Sequence, residues 1–194
     1  MERKLTDKEV KIHSTAEIGK TAEIGYGTSI WQYCIIQDNV IIGKECKIGA
    51  NVFIEQGVIL GNHVNVKNNI ALYSGVICED NVFLGPNCVF TNVINPRSFI
   101  SRKNEFRKTT VKEGATIGAN ATIICGCIIG KYALVGAGTV VTKDVPDFAV
   151  FYGNPGRVKG YVCECGHKLD KGYRCSKCGK KYRISGNGVI IRCS

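Results

Sequence analysis

The sequence predicts an all-β chain wound as a parallel β-helix, and three regularities carry that prediction. The first is an apolar residue at every sixth position: Ile12, Ile18, Ile24, Ile30, Ile36, Ile42, Ile48, Ile54, Leu60, Val66, Leu72, Cys78, Leu84 and Phe90, then, after one break, Val111, Ile117, Ile123, Ile129, Val135 and Val141. The second is a small or branched residue four places after most of these, as at Ala22, Thr28, Cys34, Val52, Val64, Ala115 and Ala133. The third is glycine directly after the large residue, as at Gly19, Gly25, Gly43, Gly61, Gly118 and Gly136. An amphipathic helix needs a spacing near 3.6 and a half-buried strand a spacing of 2, so strict sixes fit neither. A short fixed repeat of this kind marks a stacked solenoid.

Each unit of six reads as one flat face, a short strand holding the large residue and a corner holding the small one. Glycine after the large residue is expected to serve the corner, where permissive backbone is needed. Three faces close a coil of 18 residues, and coils stack about 4.8 Å apart. This is the hexapeptide-repeat prism, which coils left-handed against the usual right-handed crossover preference. We assign the left-handed β-helix to residues 10–146.

With 194 residues, 44% of them hydrophobic, the chain suits one main domain and a small appendage. The first residues contain no apolar stretch and no small-residue cleavage site, and no run reaches the length of a membrane span. A cytoplasmic protein without a membrane span is expected. Of 11 cysteines, Cys34, Cys46, Cys88 and Cys127 fall in the small inward slot and Cys78 in the large one. They read as buried hydrophobes of a reduced protein rather than as a disulfide scaffold. The net charge of +10 is uneven. From Gly156 onward there are 10 Lys+Arg against 2 Asp+Glu, and residues 96–110 carry a net +4, which leaves a nearly neutral body. Positive charge is therefore concentrated where anions can dock.

Function is sought where the repeat fails. Phe90 and Val111 are 21 residues apart, which is not a multiple of six, so residues 96–110 leave the prism as an excursion loop. Loops of this length inside compact domains are functional or disordered; this one is basic and carries Phe99 and Phe106, and it reads as a flap over an anionic substrate between neighbouring prisms. Pro146 ends the strands, and residues 147–160 are Gly/Pro-rich and read in part as a linker. In residues 161–194, Cys163, Cys165, Cys175 and Cys178 form two pairs, each followed by glycine, with a nine-residue spacer between them. Such turns aim backbone amides at thiolates and suit a tetrahedral zinc site with four cysteine ligands. The first pair is C-x-C, so His167 and Cys193 stay open as substitute ligands. A segment this short has too little core to fold alone, and zinc, worth roughly 10–16 kcal/mol in small zinc peptides, would stabilise it. Four thiolates leave no open position, which makes the metal structural.

Phe90-Thr-Asn-Val-Ile-Asn-Pro-Arg-Ser98, then Arg102-Lys103, Arg107 and the run from Val111 to Gly126, resemble the bacterial sugar-nucleotide N-acetyltransferases of the hexapeptide class. The nearest type acetylates the 3-amino group of UDP-2-acetamido-3-amino-2,3-dideoxy-glucuronate for surface polysaccharide. The resemblance covers roughly residues 10–160. It implies a homotrimer with sites between subunits and acetyl-CoA along the groove between adjacent prisms. It further implies that Asn92 holds the attacking amine, that Gly118, Ala119, Gly136 and Ala137 present backbone to the pantetheine arm, and that Lys143, Asn154, Pro155 and Arg157 line the adenosine and phosphate end. In that class the Gly153–Arg157 segment lies beside the coenzyme A cleft, with Ala where this chain has Gly156. Gln32, between Trp31 and Tyr33, stands where close relatives often have His and is similar to the dTDP-3-amino-sugar enzymes.

Amide formation from a thioester needs a neutral amine, an aligned carbonyl and a proton sink. A sugar amine is partly neutral near pH 7, so positioning can suffice without a base. His13 sits on the first coil, His167 in the tail and His63 in a solvent-facing corner, so none is assigned that role. Tyr73, one coil before Thr91, stacks near the site, and Tyr73, Thr91, Arg97 and Arg107 are the substrate-binding candidates. A carbonic anhydrase of the same prism needs three converging His and is excluded, because the prism has only His13 and His63. Two other readings stay open: a dTDP-3-amino-deoxy sugar as acceptor, and nucleic-acid binding through the basic zinc tail.

Overall fold

In the computed structural model, residues 9–185 and 190–193 are described. Strands of two or three residues repeat along three faces. Face A begins with Lys11–Ile12, Ser29–Ile30 and Lys47–Ile48, face B with Glu17–Ile18, Ile35–Ile36 and Phe53–Ile54, and face C with Glu23–Ile24, Ile41–Ile42 and Ile59–Leu60. Each strand pairs in parallel with the strand 18 residues on, as in Ile30↔Ile48, Ile36↔Ile54 and Ile42↔Leu60. The result is the left-handed parallel solenoid expected from the repeat. From Ile30 onward the large residue of each strand points inward and is buried, forming one continuous core to Phe151, while in the first coil Ile12 is exposed and Ile18 and Ile24 are half-buried.

The corners correct one expectation. Left-handed backbone falls on the third residue after the large one, not the first: Asn39, Asn51, Asn69, Asn81, Asn87 and Asn120 have φ of 55° to 60° there, and Gly57 and Gly75 share the slot. Asn tolerates this conformation better than other residues with a Cβ. The glycine directly after the large residue has a different cause. A Cβ on Gly118 would lie 2.4 Å from the Ala137 nitrogen of the next coil, and one on Gly25 would lie 2.6 Å from the Gly43 carbonyl carbon. At these glycines the stacked coils approach too closely to admit a side chain.

The small inward slot takes Thr and Cys because a buried donor finds a corner carbonyl. Thr28 Oγ1 donates to Gly43 O at 2.9 Å, Cys34 Sγ to Gly49 O at 2.9 Å and Cys46 Sγ to Gly61 O at 3.2 Å. Burial pushes the Cys88 thiol up to about 12 and raises that of Cys78 as well, so both stay protonated.

Across the break the register steps by 33 residues, as in Val76↔Thr109, Phe83↔Thr116 and Val89↔Thr122, so 15 residues are inserted. The loop is closed at its neck, where the Arg107 amide donates to Asn92 O and the Thr109 amide to Gly75 O, both at 2.9 Å. It contains one 3-10 turn, Lys103–Glu105, tied by Arg102 Nη1 to Glu105 Oε1 at 2.7 Å. Face B is divided at this level. Ala71–Leu72 and Val89–Phe90 are neighbours one coil apart, but they belong to separate hydrogen-bonded sheets.

Residues 147–160 are not a free linker. Ala149–Gly153 joins face A beside Leu134–Val135 and turns back antiparallel as Gly156–Tyr161. The buried side chains of Ala149 and Phe151 fill the top of the last coil, and this ties the hairpin down. Beyond it lies a second small core of Phe148, Cys163, Cys175, Tyr182 and Ile190. Among the described residues, no helix is long and apolar enough to cross a membrane.

Candidate active site and metal centre

The prism edges on either side of face B collect most of the candidate residues. At the edge between faces B and C, Thr91, Asn92 and the loop neck stack on Cys125 and Gly126. The Cys125 amide donates to Thr91 Oγ1 at 2.9 Å and the Gly126 amide to Thr109 Oγ1 at 3.3 Å. A Cβ on Gly126 would meet Arg107 Cδ at 3.3 Å, so the Arg107 stem lies across that corner. Arg107 is exposed, and so is Arg97, whose Nη1 donates to Pro96 O at 3.0 Å. Tyr73 belongs to the coil below, and its ring stands 6.3 Å from that of Phe53. Asn92 is half-buried, and beside it the loop exposes Ile94, Phe99, Ile100 and Phe106.

The edge between faces A and B carries Gly118 and Ala119 below Gly136 and Ala137. The Gly118 amide donates to Val135 O and the Gly136 amide to Phe151 O, both at 2.8 Å. Without side chains, these glycines leave a backbone-walled strip down the edge. The terminal hairpin continues it, since a Cβ on Gly136 would lie 2.9 Å from Tyr152 Cβ. Asn154, Pro155 and Arg157 are exposed at the hairpin turn, where the Asn154–Pro155 bond is cis. Gly156 is buried, and a Cβ there would lie 2.2 Å from Phe151 Cε1, which explains why Ala is absent at that position.

Lys143 does not join this strip. It follows Val140–Val141, which pairs with Thr122–Ile123, so it stands on the Asn92 edge. Within one chain the Asn92 edge and the glycine strip flank face B without meeting. Face B itself turns Ile35, Phe53, Ala71 and Val89 outward, with Ile35 and Val89 exposed. His63 lies in a left-handed corner after Ile59–Leu60, its Nδ1 3.3 Å from Glu45 Oε2, and it does not share the edge of Asn92.

In the tail, the thiol sulfurs of Cys163, Cys165, Cys175 and Cys178 all lie within 4.8 Å of one another. Cys163 and Cys178 are 3.4 Å apart and Cys165 and Cys175 3.5 Å, too far for a disulfide of about 2.05 Å. Four sulfurs each about 2.3 Å from a central zinc stand about 3.7 Å from one another, so the cluster fits the ion. Within the cluster the amides of Cys178 and Lys177 pull the Cys175 thiol down, while hydrogen bonds from neighbouring thiols hold those of Cys165 and Cys178 up, so the four share their protons unequally. His167 Nδ1 touches Cys165 Sγ at 3.6 Å from outside the group of four, and Cys193 is not part of it.

Sequence reasoning missed how the tail is held. Tyr132 and Phe148 occupy left-handed corner slots, with φ of 53° and 58°. Their rings stack at 5.3 Å, and Phe148 meets Tyr182 edge-on at 5.3 Å. The Tyr182 hydroxyl donates to Cys163 Sγ at 3.1 Å and accepts the Glu164 amide at 3.1 Å. Aromatic residues in a slot that elsewhere mostly holds Asn or Gly were the available signal.

These features define a left-handed hexapeptide-repeat prism with a C-terminal cysteine cluster. Residues 21–56 and 108–143 match the bacterial transferase hexapeptide family (six repeats), and residues 39–74 match the hexapeptide repeat of succinyl-transferase. Among curated relatives, dTDP-3-amino-3,6-dideoxy-alpha-D-galactopyranose 3-N-acetyltransferase of Aneurinibacillus thermoaerophilus is 54% identical over 88 residues, covering 44% of this chain and 45% of that protein. Serine acetyltransferase of Bacillus pumilus is 30% identical over 162 residues, 84% of this chain and 52% of that protein. The chain thus spans about half the length of the curated relatives it matches. Among solved structures, the acetyltransferase domain of PglB from Neisseria gonorrhoeae, in complex with acetyl coenzyme A, shares the fold with a TM-score of 0.54. It is 20% identical and covers 78% of this chain and 58% of that one.

Proposed function

We propose that this protein transfers the acetyl group of acetyl-CoA to the amino group of a nucleotide-linked amino sugar. The observation that carries the reading is the 54% identity with a dTDP-3-amino-sugar N-acetyltransferase. It favours a dTDP-3-amino-deoxy sugar over the UDP-linked uronate suggested by the Asn92 motif, and Gln32 points the same way. The backbone strip at Gly118 and Gly136 suits the extended pantetheine arm, and Arg157, exposed at its upper end, suits phosphate through its planar fork.

Because the strip and the Asn92 edge flank face B without meeting, the reaction needs a second copy of the chain. A closed trimer, with the apolar outer residues of face B toward its axis, sets one chain's strip against its neighbour's Asn92 edge. There the Asn92 carbonyl oxygen accepts a hydrogen bond from the sugar amine. The nitrogen lone pair attacks the thioester carbon, the new C–N bond forms as the C–S bond breaks, and the amine proton passes to the departing thiolate. Positioning supplies the rate, and no histidine is asked to act. Arg97 and Arg107 meet the anionic groups of the acceptor, Tyr73 and Thr91 its sugar, and Lys143 the coenzyme from across the groove. The four-cysteine centre holds a structural zinc that stabilises the tail.

The test is release of free thiol from acetyl-CoA with dTDP- and UDP-linked 3-amino sugars, with and without a uronate carboxylate. Turnover preferring the dTDP sugar, lost in Asn92→Ala while the assembly persists, is the expected result. No release with any acceptor amine overturns the reading.

A further inference from the structure

The thiols of this chain fall into two groups. In the prism, Cys34, Cys46, Cys78, Cys88, Cys125 and Cys127 are each 4% exposed or less, which keeps dissolved reagents away from them. In the tail centre burial alternates: Cys163 and Cys175 are buried, while Cys165 and Cys178 are exposed. Acetyl transfer uses none of these four.

Each exposed sulfur rests against a buried one from the other pair. Cys178 Sγ lies 3.4 Å from Cys163 Sγ, 15 residues away in the chain, and Cys165 Sγ lies 3.5 Å from Cys175 Sγ, 10 residues away. A closure of about 1.4 Å brings either pair to a disulfide bond of about 2.05 Å. Pairing within the sequence motifs serves less well. Cys163 and Cys165 enclose only Glu164, and a ring that short forces the disulfide dihedral away from its preferred value near about 90°. A reachable thiol poised beside a second thiol that can resolve it is the arrangement of a reversible oxidation site. Zinc, when bound, keeps all four sulfurs deprotonated, which is their nucleophilic form.

Resting on the zinc assignment made above, we infer that the centre is a site of oxidation by hydrogen peroxide that closes as two crossed disulfides, Cys163–Cys178 and Cys165–Cys175. In each half, the exposed thiolate attacks one peroxide oxygen and becomes a sulfenic acid as the O–O bond breaks. The hydroxide released takes a proton from solvent. The thiolate of the buried partner then attacks that sulfur. The S–S bond forms as the S–O bond breaks, and a second hydroxide leaves and is protonated. Two peroxides become four waters, and the four sulfurs give up four electrons. No thiolate is left to hold a metal ion, so oxidation releases it. The crossed bridges still join the two cysteine pairs, so the module keeps its fold and its seat on Phe148.

The four cysteines can be separated for mapping, because Glu164 and Lys177 place cleavage sites between the members of each pair. Full-length protein is assayed for zinc and titrated with hydrogen peroxide while a chromogenic chelator follows release. It is then alkylated and digested, without reduction, by trypsin and a glutamate-specific protease. The expected result is loss of four of the 11 thiols per chain, loss of zinc in step, and peptides joined Cys163 to Cys178 and Cys165 to Cys175. Dithiothreitol with added zinc should restore both thiols and metal. Bridges in either other pairing, sulfinic acid in place of disulfides, or four thiols left intact at peroxide levels that oxidise the prism cysteines, overturn the site. Protein purified without zinc that still closes the crossed bridges keeps the oxidation site and sinks the zinc assignment. Zinc that is present and stays bound under peroxide does the reverse.

Discussion

Replacing Phe148 by Asn should loosen the tail from the prism without disturbing the prism. Phe148 is 8% exposed and meets Tyr132 on one side and Tyr182 on the other, each at 5.3 Å between ring centres. Removing a buried Phe side chain costs about 3–5 kcal/mol. Against that, a residue other than Gly or Asn at φ 58° carries roughly 1 kcal/mol of strain. Asn relieves it, as six other corners of this prism already do. The net loss is about 2–4 kcal/mol, or roughly 30- to 900-fold in the opening equilibrium of the contact. Native-state hydrogen exchange reads this directly. The Val162 amide, bonded to Phe148 O at 2.8 Å, and the Glu164 amide, bonded to the Tyr182 hydroxyl, should exchange faster by that factor. Amides of the coils between Ile30 and Leu84 should not change, because a solenoid couples mainly to its nearest neighbours. Phe148→Tyr keeps the ring and should keep the protection. Unaltered exchange at Val162 and Glu164 in Phe148→Asn would refute the docking argument.

Three further outcomes follow from the geometry. Gly156→Ala drives a Cβ toward the fully buried Phe151 ring; overpacking of about 1–3 kcal/mol should lower the calorimetric Tm by roughly 3–10 °C, and an unchanged Tm would mean the hairpin does not rest on the last coil. Stripping metal with a chelator, or Cys175→Ser with Cys178→Ser, should make the tail sensitive to protease while the far-ultraviolet signal of the prism persists; the native protein should contain one zinc per chain by mass spectrometry. His63→Ala removes only an exposed contact with Glu45, so stability should fall by less than about 1 kcal/mol and turnover should hold; a large loss of turnover would bring a histidine base back into the mechanism.

The prism was legible because each inward side chain has to repeat for coils to stack. Ile30, Ile48 and Val66 could be aligned by counting, and the 33-residue register step across the loop is the 21-residue gap seen from outside. The cause behind each repeated residue was less visible. Glycine after the large residue and Asn two places later both recur, but one answers to the neighbouring coil and the other to its own backbone. A string of letters cannot tell a steric demand between coils from a torsional demand within one.

The same distinction governs the site. The resemblance groups Lys143 with Asn154 and Arg157, yet Lys143 follows Val140–Val141 and stands above Asn92 on the other edge of face B. In a solenoid, nearness in sequence means a different edge, and nearness in space means a step of 18. Residues meant to act together can therefore be read from one chain only when they share a column. Gly118 with Gly136 do, and Asn92 with Lys143 do, but the two groups do not share one with each other. On the proposed reading their joint chemistry would come from a second copy of the chain, which no single-chain pattern encodes. The tail shows the complementary limit. Its four cysteines converge as their spacing suggested, while the Tyr132–Phe148–Tyr182 stack that fastens it depends on two corner side chains. Every other corner would lead one to expect those side chains to face water.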